Sequence, residues 1–144
     1  MPATLATSIG LHRDLACEGI RLAVDELAAL ERAESLAKQA ADLGVLHVGL
    51  TGGEPTVRAN LPDLIELLSP LPVDLALTTN GAALRLLAKD LSRAGLRRIN
   101  ISLDTLRRDR FKELTLRDDL TRVLDGIDAA LAAGLFPVKI NVVV

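Results

Sequence analysis

From about residue 45 onward, short apolar runs take turns with longer segments whose apolar residues recur every three to four positions. The short runs are VLHVGL (45–50), VDLALTT (73–79), RRINISL (97–103) and PVKINVVV (137–144), and each is predicted as a strand. Between and before them the longer period predicts helices. The first covers about 22–43, with Leu27, Leu30, Ala33, Leu36, Ala40 and Leu43 on one side and Gly44 as a C-terminal cap. Asn60 and Asp63 bracket the start of a second, which runs through about Leu68. In a third, Leu84, Leu87, Ala88 and Leu91 share a face between about Ala82 and Ala94. A short one falls near 107–114. The last is started by Asp118 or Asp119, carries Leu120, Val123, Leu124, Ile127 and Leu131 as its stripe, and is stopped by Gly134 with Pro137 behind it. Asn80-Gly81 would suit a hairpin, but helical periodicity follows it, so it reads as a strand-to-helix turn. Strands alternating with helices imply a parallel sheet.

The strands have two unlike faces. On one parity lie Leu46, Val48, Leu50, Leu75, Leu77, Ile99, Ile101, Leu103, Val138, Ile140 and Val142, which suit packing under helices. The other carries His47, Gly49, Thr51, Asp74, Ala76, Thr78, Asn100, Ser102, Asp104, Lys139 and Asn141. Parallel strands covered on both faces read as continuously apolar, and these do not. A buried polar group without a partner costs about 1–3 kcal/mol, so the polar row predicts either a lined cavity or an open, part-solvated face, and the cavity satisfies all of its members. In parallel α/β folds ligands gather at the carboxyl ends of strands, where Thr51, Gly52, Gly53, Thr78, Thr79, Ser102 and Asp104 fall. Gly52 and Gly53 can take positive φ and expose main-chain N–H and C=O groups to a ligand, and Glu54 can accept bonds within the turn or meet a cation.

Composition narrows the partners. The chain of 144 residues, 49% hydrophobic, suits one domain. A net charge of −2 from 17 basic and 19 acidic residues, with no basic tract, excludes a nucleic-acid surface as the expectation. No apolar run approaches a bilayer span and the opening MPATLATSIGLHRD lacks signal-peptide features, so the expected location is cytoplasmic, with no membrane partner. Cys17 is the only cysteine, which excludes any site built from several thiolates of this chain. His12 and His47 lack spaced partners and read as solvated or hydrogen-bonded, and Asp118-Asp119 reads as a helix cap rather than a metal pair.

LTGGEPTVR (50–58), LALTTNG (75–81), RRINISLDTL (97–106) and DDLTRVLDGIDAALAAGLFPVKINVVV (118–144), in that order, resemble the radical S-adenosylmethionine enzymes of the GTP 3',8-cyclase family. The resemblance implies an α/β fold: a partial, incomplete TIM-type (β/α) barrel of about four parallel strands over 26–144, truncated at both ends, behind an irregular N-terminal segment 1–25. It implies a lyase that converts GTP, with S-adenosylmethionine, to the cyclic pterin precursor of molybdenum cofactor, using a 4Fe-4S cluster. By the same resemblance Gly52, Gly53, Glu54 and Ser102 bind the S-adenosylmethionine cofactor, and Thr78 and Lys139 bind the GTP substrate.

Departures from the family set further expectations. The cluster motif CxxxCxxC has only LACEGIR near its place, so a cluster is not supported and no catalytic or metal residue is assigned. Gly49 stands where the family has an arginine that contacts GTP. The chain by itself is therefore expected to be inactive, with weak or vestigial S-adenosylmethionine binding; the alternatives are a non-catalytic S-adenosylmethionine or nucleotide module, or another radical enzyme. The apolar terminal strand KINVVV is expected to support self-association through its edge.

Overall fold

The computed structural model describes residues 19–23 and 30–144. Five parallel strands form one sheet in chain order: β1 (Gly19–Ala23), β2 (His47–Thr51), β3 (Asp74–Thr79), β4 (Arg98–Ser102) and β5 (Val138–Asn141). Helices α1 (Leu30–Asp42), α2 (Leu61–Leu68), α3 (Leu84–Arg93), α4 (Arg108–Thr115) and α5 (Leu120–Ala132) fill the crossovers, with both α4 and α5 between β4 and β5. This is the α/β half-barrel expected, with β1 as an added strand inside the segment read as irregular. GIRLA has no turn signals around it that the local pattern could use, and its pairing with β2, Gly19 opposite His47 through Ala23 opposite Thr51, is a long-range event.

The helix-side parity of the central strands makes the core, whereas Leu46, Ile140 and Val142, expected on the same parity, are exposed. Leu50, Leu77, Ile99 and Ile101 are fully buried, beneath Leu61, Leu64, Ile65 and Leu68 of α2 and Leu84 and Leu91 of α3. Each such side chain contributes about 1.5–3 kcal/mol of transfer free energy. Gly44 does close α1, at φ +85, with the Val45 amide donating back to Ala40 O at 3.0 Å. Leu43 lies past the last helical turn and is exposed rather than on the apolar side of α1; Leu27, like His12 and Cys17, lies outside the described residues.

Helix α5 also turns differently from its stripe. Its buried residues are Leu120, Val123, Gly126 and Ala130, while Leu124 and Leu131 are exposed. The reason is Gly126: a Cβ there would sit 2.3 Å from Gly81 O and 3.2 Å from Leu84 Cβ, so the bare backbone lets α5 lie directly on the Asn80-Gly81 turn and α3. Asp119 occupies the N-cap position of α5 without a side-chain capping bond. Asp118 is used elsewhere, accepting from Arg108 Nε and Nη2, both at 2.8 Å, because the guanidinium fork across the α4–α5 link is a better partner than the first-turn amides.

Candidate functional site

The polar parity forms the sheet's second face, and that face is open. None of its members is fully buried: His47, Ser102, Asp104 and Lys139 are exposed, and Gly49, Thr51, Asp74, Ala76, Thr78, Asn100 and Asn141 are intermediate. The enclosed cavity expected from the polar row is thus replaced by the open alternative, because the five described strands do not close on themselves: β1 and β5 are the two ends of the strand order.

Register gathers the candidates on this face. Thr78 is opposite Asn100, and Asn100 is opposite Lys139, while Ser102 is opposite Asn141 one row nearer the carboxyl end. Asn100 Nδ2 donates to Thr78 Oγ1 at 3.3 Å. Thr78 and Lys139 stand two strand spacings apart, about 10 Å. Gly49 leaves a gap in the next row down, between Arg21 of β1 and Ala76 of β3. At the far, amino-terminal end of the face, Asp74 Oδ2 meets His47 Nδ1 at 3.1 Å and also pairs with Arg98, so polar contacts tie β2, β3 and β4 together away from the mouth.

The diglycine turn sits at the end of β2. Gly52 has φ +94 and Gly53 φ +44, a left-handed pair that reverses the chain and brings Glu54 back toward β3. Pro55–Val57 then make a single 3-10 turn, capped by Glu54, whose Oε1 accepts from the Thr56 amide at 3.2 Å and from Thr56 Oγ1 at 2.6 Å. The same Oε1 accepts from Thr79 Oγ1 at 2.5 Å, and Oε2 accepts from the Asn80 amide at 2.7 Å. Beyond it, Thr79 Oγ1 accepts from the Gly81 amide at 3.2 Å, and Asn80 Oδ1 accepts from the Ala82 amide at 3.0 Å, which shapes the turn into α3. Of the two roles open to Glu54, bonding within the turn is the one observed, extended across to β3.

Gly52, Gly53, Glu54 and Ser102 therefore stand at the carboxyl ends of β2 and β4, with Thr78 between them on β3 and Lys139 on β5. Thr79 was expected at the strand mouth and Asn80 in the turn after it, but their bonds to Glu54 were not foreseen. Thr79 breaks the apolar parity of Leu75 and Leu77 while being only 3% exposed, and a polar residue in a buried row next to a motif glutamate was the available signal.

The cluster implied by the resemblance does not fit this donor set. The chain has one cysteine, Cys17, outside the described residues, and among the described residues no three His, Cys, Asp or Glu side chains gather as a metal site. Among the described residues, no helix is long and apolar enough to cross a membrane.

Comparison with known proteins adds the following. The family model of the Radical SAM superfamily matches residues 23–144. The chain is 49% identical over 122 residues to the GTP 3',8-cyclase of Moorella thermoacetica, covering 83% of this chain and 38% of that protein. It is 48% identical over 130 residues to the GTP 3',8-cyclase of Pelotomaculum thermopropionicum, covering 88% and 40%. It is 47% identical over 114 residues to the probable GTP 3',8-cyclase of Pyrococcus abyssi, covering 79% and 37%. The chain thus spans about two fifths of the length of the curated relatives it matches.

Proposed function

Because this chain belongs to the Radical SAM superfamily, we propose that it carries the ligand-facing floor of a GTP 3',8-cyclase-type site and, by itself, binds ligands without turning them over. The diglycine backbone at Gly52 and Gly53, supported by Glu54, receives the amino-acid end of S-adenosylmethionine, and the exposed Ser102 hydroxyl offers it a second contact. Thr78 and Lys139 receive GTP, the exposed lysine supplying a mobile cation for the phosphates. The observation that supports this most directly is their common placement: the open face and carboxyl ends of adjacent parallel strands put all of these groups on one surface.

The missing chemistry follows from the donor set. Reductive cleavage of S-adenosylmethionine needs a low-potential electron donor, and one cysteine cannot hold the cluster that supplies it. What remains to these residues is binding and orientation. Gly49 contributes no side chain, so the nucleotide end is held by fewer cations than an arginine there would provide. Among the described strands β5 pairs only with β4, and this edge, with Val142 and Val143 exposed beyond it, adds self-association to the same reading.

Titration calorimetry with each ligand tests the proposal. Ser102→Ala should weaken S-adenosylmethionine and leave GTP unchanged, whereas Lys139→Gln should weaken GTP about tenfold or more and leave S-adenosylmethionine unchanged. Absence of heat with both ligands at millimolar concentration, or isotherms indifferent to both substitutions, overturns it. A substitution at Gly53 is a poorer probe, since its positive φ would strain any side chain.

A further inference from the structure

The four bonds to Glu54 come from two places far apart in sequence: Thr56, two residues on, and Thr79 and Asn80, 25 and 26 residues on. Three of these donors, the Thr56 amide, Thr56 Oγ1 and Thr79 Oγ1, meet Oε1, and the Asn80 amide meets Oε2, so both carboxylate oxygens are engaged within the two turns. We propose that Glu54 is a positioning residue: its carboxylate clamps the diglycine turn after β2 to the Thr79–Gly81 turn after β3, and it does not itself face a ligand.

The clamp is continuous with the packing behind it. Thr79 Oγ1 donates to Glu54 and accepts from the Gly81 amide, so one buried hydroxyl relays the carboxylate to the next turn. Gly81 is buried at φ +83, and a Cβ on it would meet Ile101 at 3.0 Å and Val123 at 3.3 Å. Its carbonyl lies against Gly126 of α5. Gly52 and Gly53, which are free to adopt many conformations in an unfolded chain, are thereby fixed through Glu54 to the rigid layer of α3 and α5. Charge-assisted bonds suit this work, because they are shorter and roughly twice as strong as neutral ones. Resting on the ligand assignment above, the clamp also fixes the turn at the S-adenosylmethionine end relative to Thr78, the neighbour of Thr79, at the nucleotide end. Its removal should loosen both ends together.

Amide hydrogen exchange on the whole chain tests the clamp without any ligand. In Glu54→Gln, where an NH2 group replaces one acceptor oxygen, the Asn80 amide should exchange about tenfold faster or more, while the core amides of Ile65 and Leu91 keep their wild-type rates. Should that variant fail to fold, Thr79→Val should speed exchange at Gly81 and Asn80, and Thr79→Ser, which keeps the hydroxyl, should restore protection. Unchanged exchange at Asn80, or equal acceleration of turn and core, overturns the proposal. Calorimetry then separates clamp from ligand contact: Glu54→Gln should weaken S-adenosylmethionine and GTP by similar factors. Weakening of S-adenosylmethionine alone makes Glu54 a direct contact and overturns the clamp. If the wild type binds neither ligand, the ligand assignment fails, and the exchange rates alone decide the clamp.

Discussion

Gly126→Ala is the perturbation whose magnitude follows most directly from the geometry. The added Cβ would lie 2.3 Å from Gly81 O, whereas ordinary C···O contacts begin near about 3.3 Å, so helix and turn must separate by roughly 1 Å. The obstacle is a backbone carbonyl, and Leu84 Cβ at 3.2 Å blocks the sideways escape. That carbonyl also accepts from the Leu84 amide at 3.2 Å, at the start of α3, so moving it loosens the helix start. Overpacking costs about 1–3 kcal/mol and a weakened hydrogen bond about 1, against a gain of about 1 kcal/mol from replacing glycine inside a helix. The net expectation is destabilisation by about 1–3 kcal/mol, a large share of a small domain's stability. Urea denaturation followed by circular dichroism measures it. Gly134→Ala is the control: glycine there has φ +79 and nothing within 4 Å of the added Cβ, so it should show only the left-handed backbone cost, about 1–2 kcal/mol, with no change in exchange at Asn80. A Gly126→Ala protein as stable as wild type, or more so, refutes the close-approach reasoning, since helix propensity would then outweigh the clash.

Anaerobic reconstitution with iron and sulfide should leave the protein without a stoichiometric four-iron absorbance band and unable to cleave S-adenosylmethionine; a stoichiometric band would show that thiolate count does not limit the site. Val142→Lys should reduce self-association by charging an exposed position beside β5, the end strand among those described, and a wild type that stays monomeric in light scattering at tens of micromolar, roughly the regime where exposed edges aggregate, would remove the edge from consideration. The side-chain bond from Arg108 holds the Asp118 carboxyl below its ordinary value of 3.8. A carboxylate with a depressed folded-state pKa contributes stability that is present above 3.8 and lost as pH falls through the lower folded value, so Asp118→Asn should lower the urea midpoint slightly near neutral pH and not in strong acid; a difference that grows on acidification contradicts the pairing. The effect is small, since both partners are solvent-exposed.

The local pattern determined most of what is local. Apolar periods of two and of three to four placed β2 to β5 and the five described helices, though the first was expected from about residue 22, where Leu22 and Ala23 instead lie in β1; backbone conformation and burial face are encoded within one element. Strand parity alone separated Leu50, Leu77, Ile99 and Ile101 from Thr78, Asn100, Ser102 and Lys139, and the diglycine was legible as a left-handed turn. The count of one cysteine set the expectation that this sequence offers too few thiolates for a four-iron cluster. Tertiary structure decided the rest. Whether the polar face is enclosed depends on closure, a property of the whole strand order, and the described strands leave it open. The strand Gly19–Ala23 exists through its pairing with β2. Leu124 and Leu131 are exposed because Gly126 sets how α5 is rotated against α3, which no stripe of leucines specifies. Glu54 could be read as a turn residue or a cation ligand from sequence; only the register of β2 beside β3 brings Thr79 Oγ1 and the Asn80 amide to its carboxylate, since a hydrogen bond needs partners within about 3 Å and sequence spacing does not fix distances between elements.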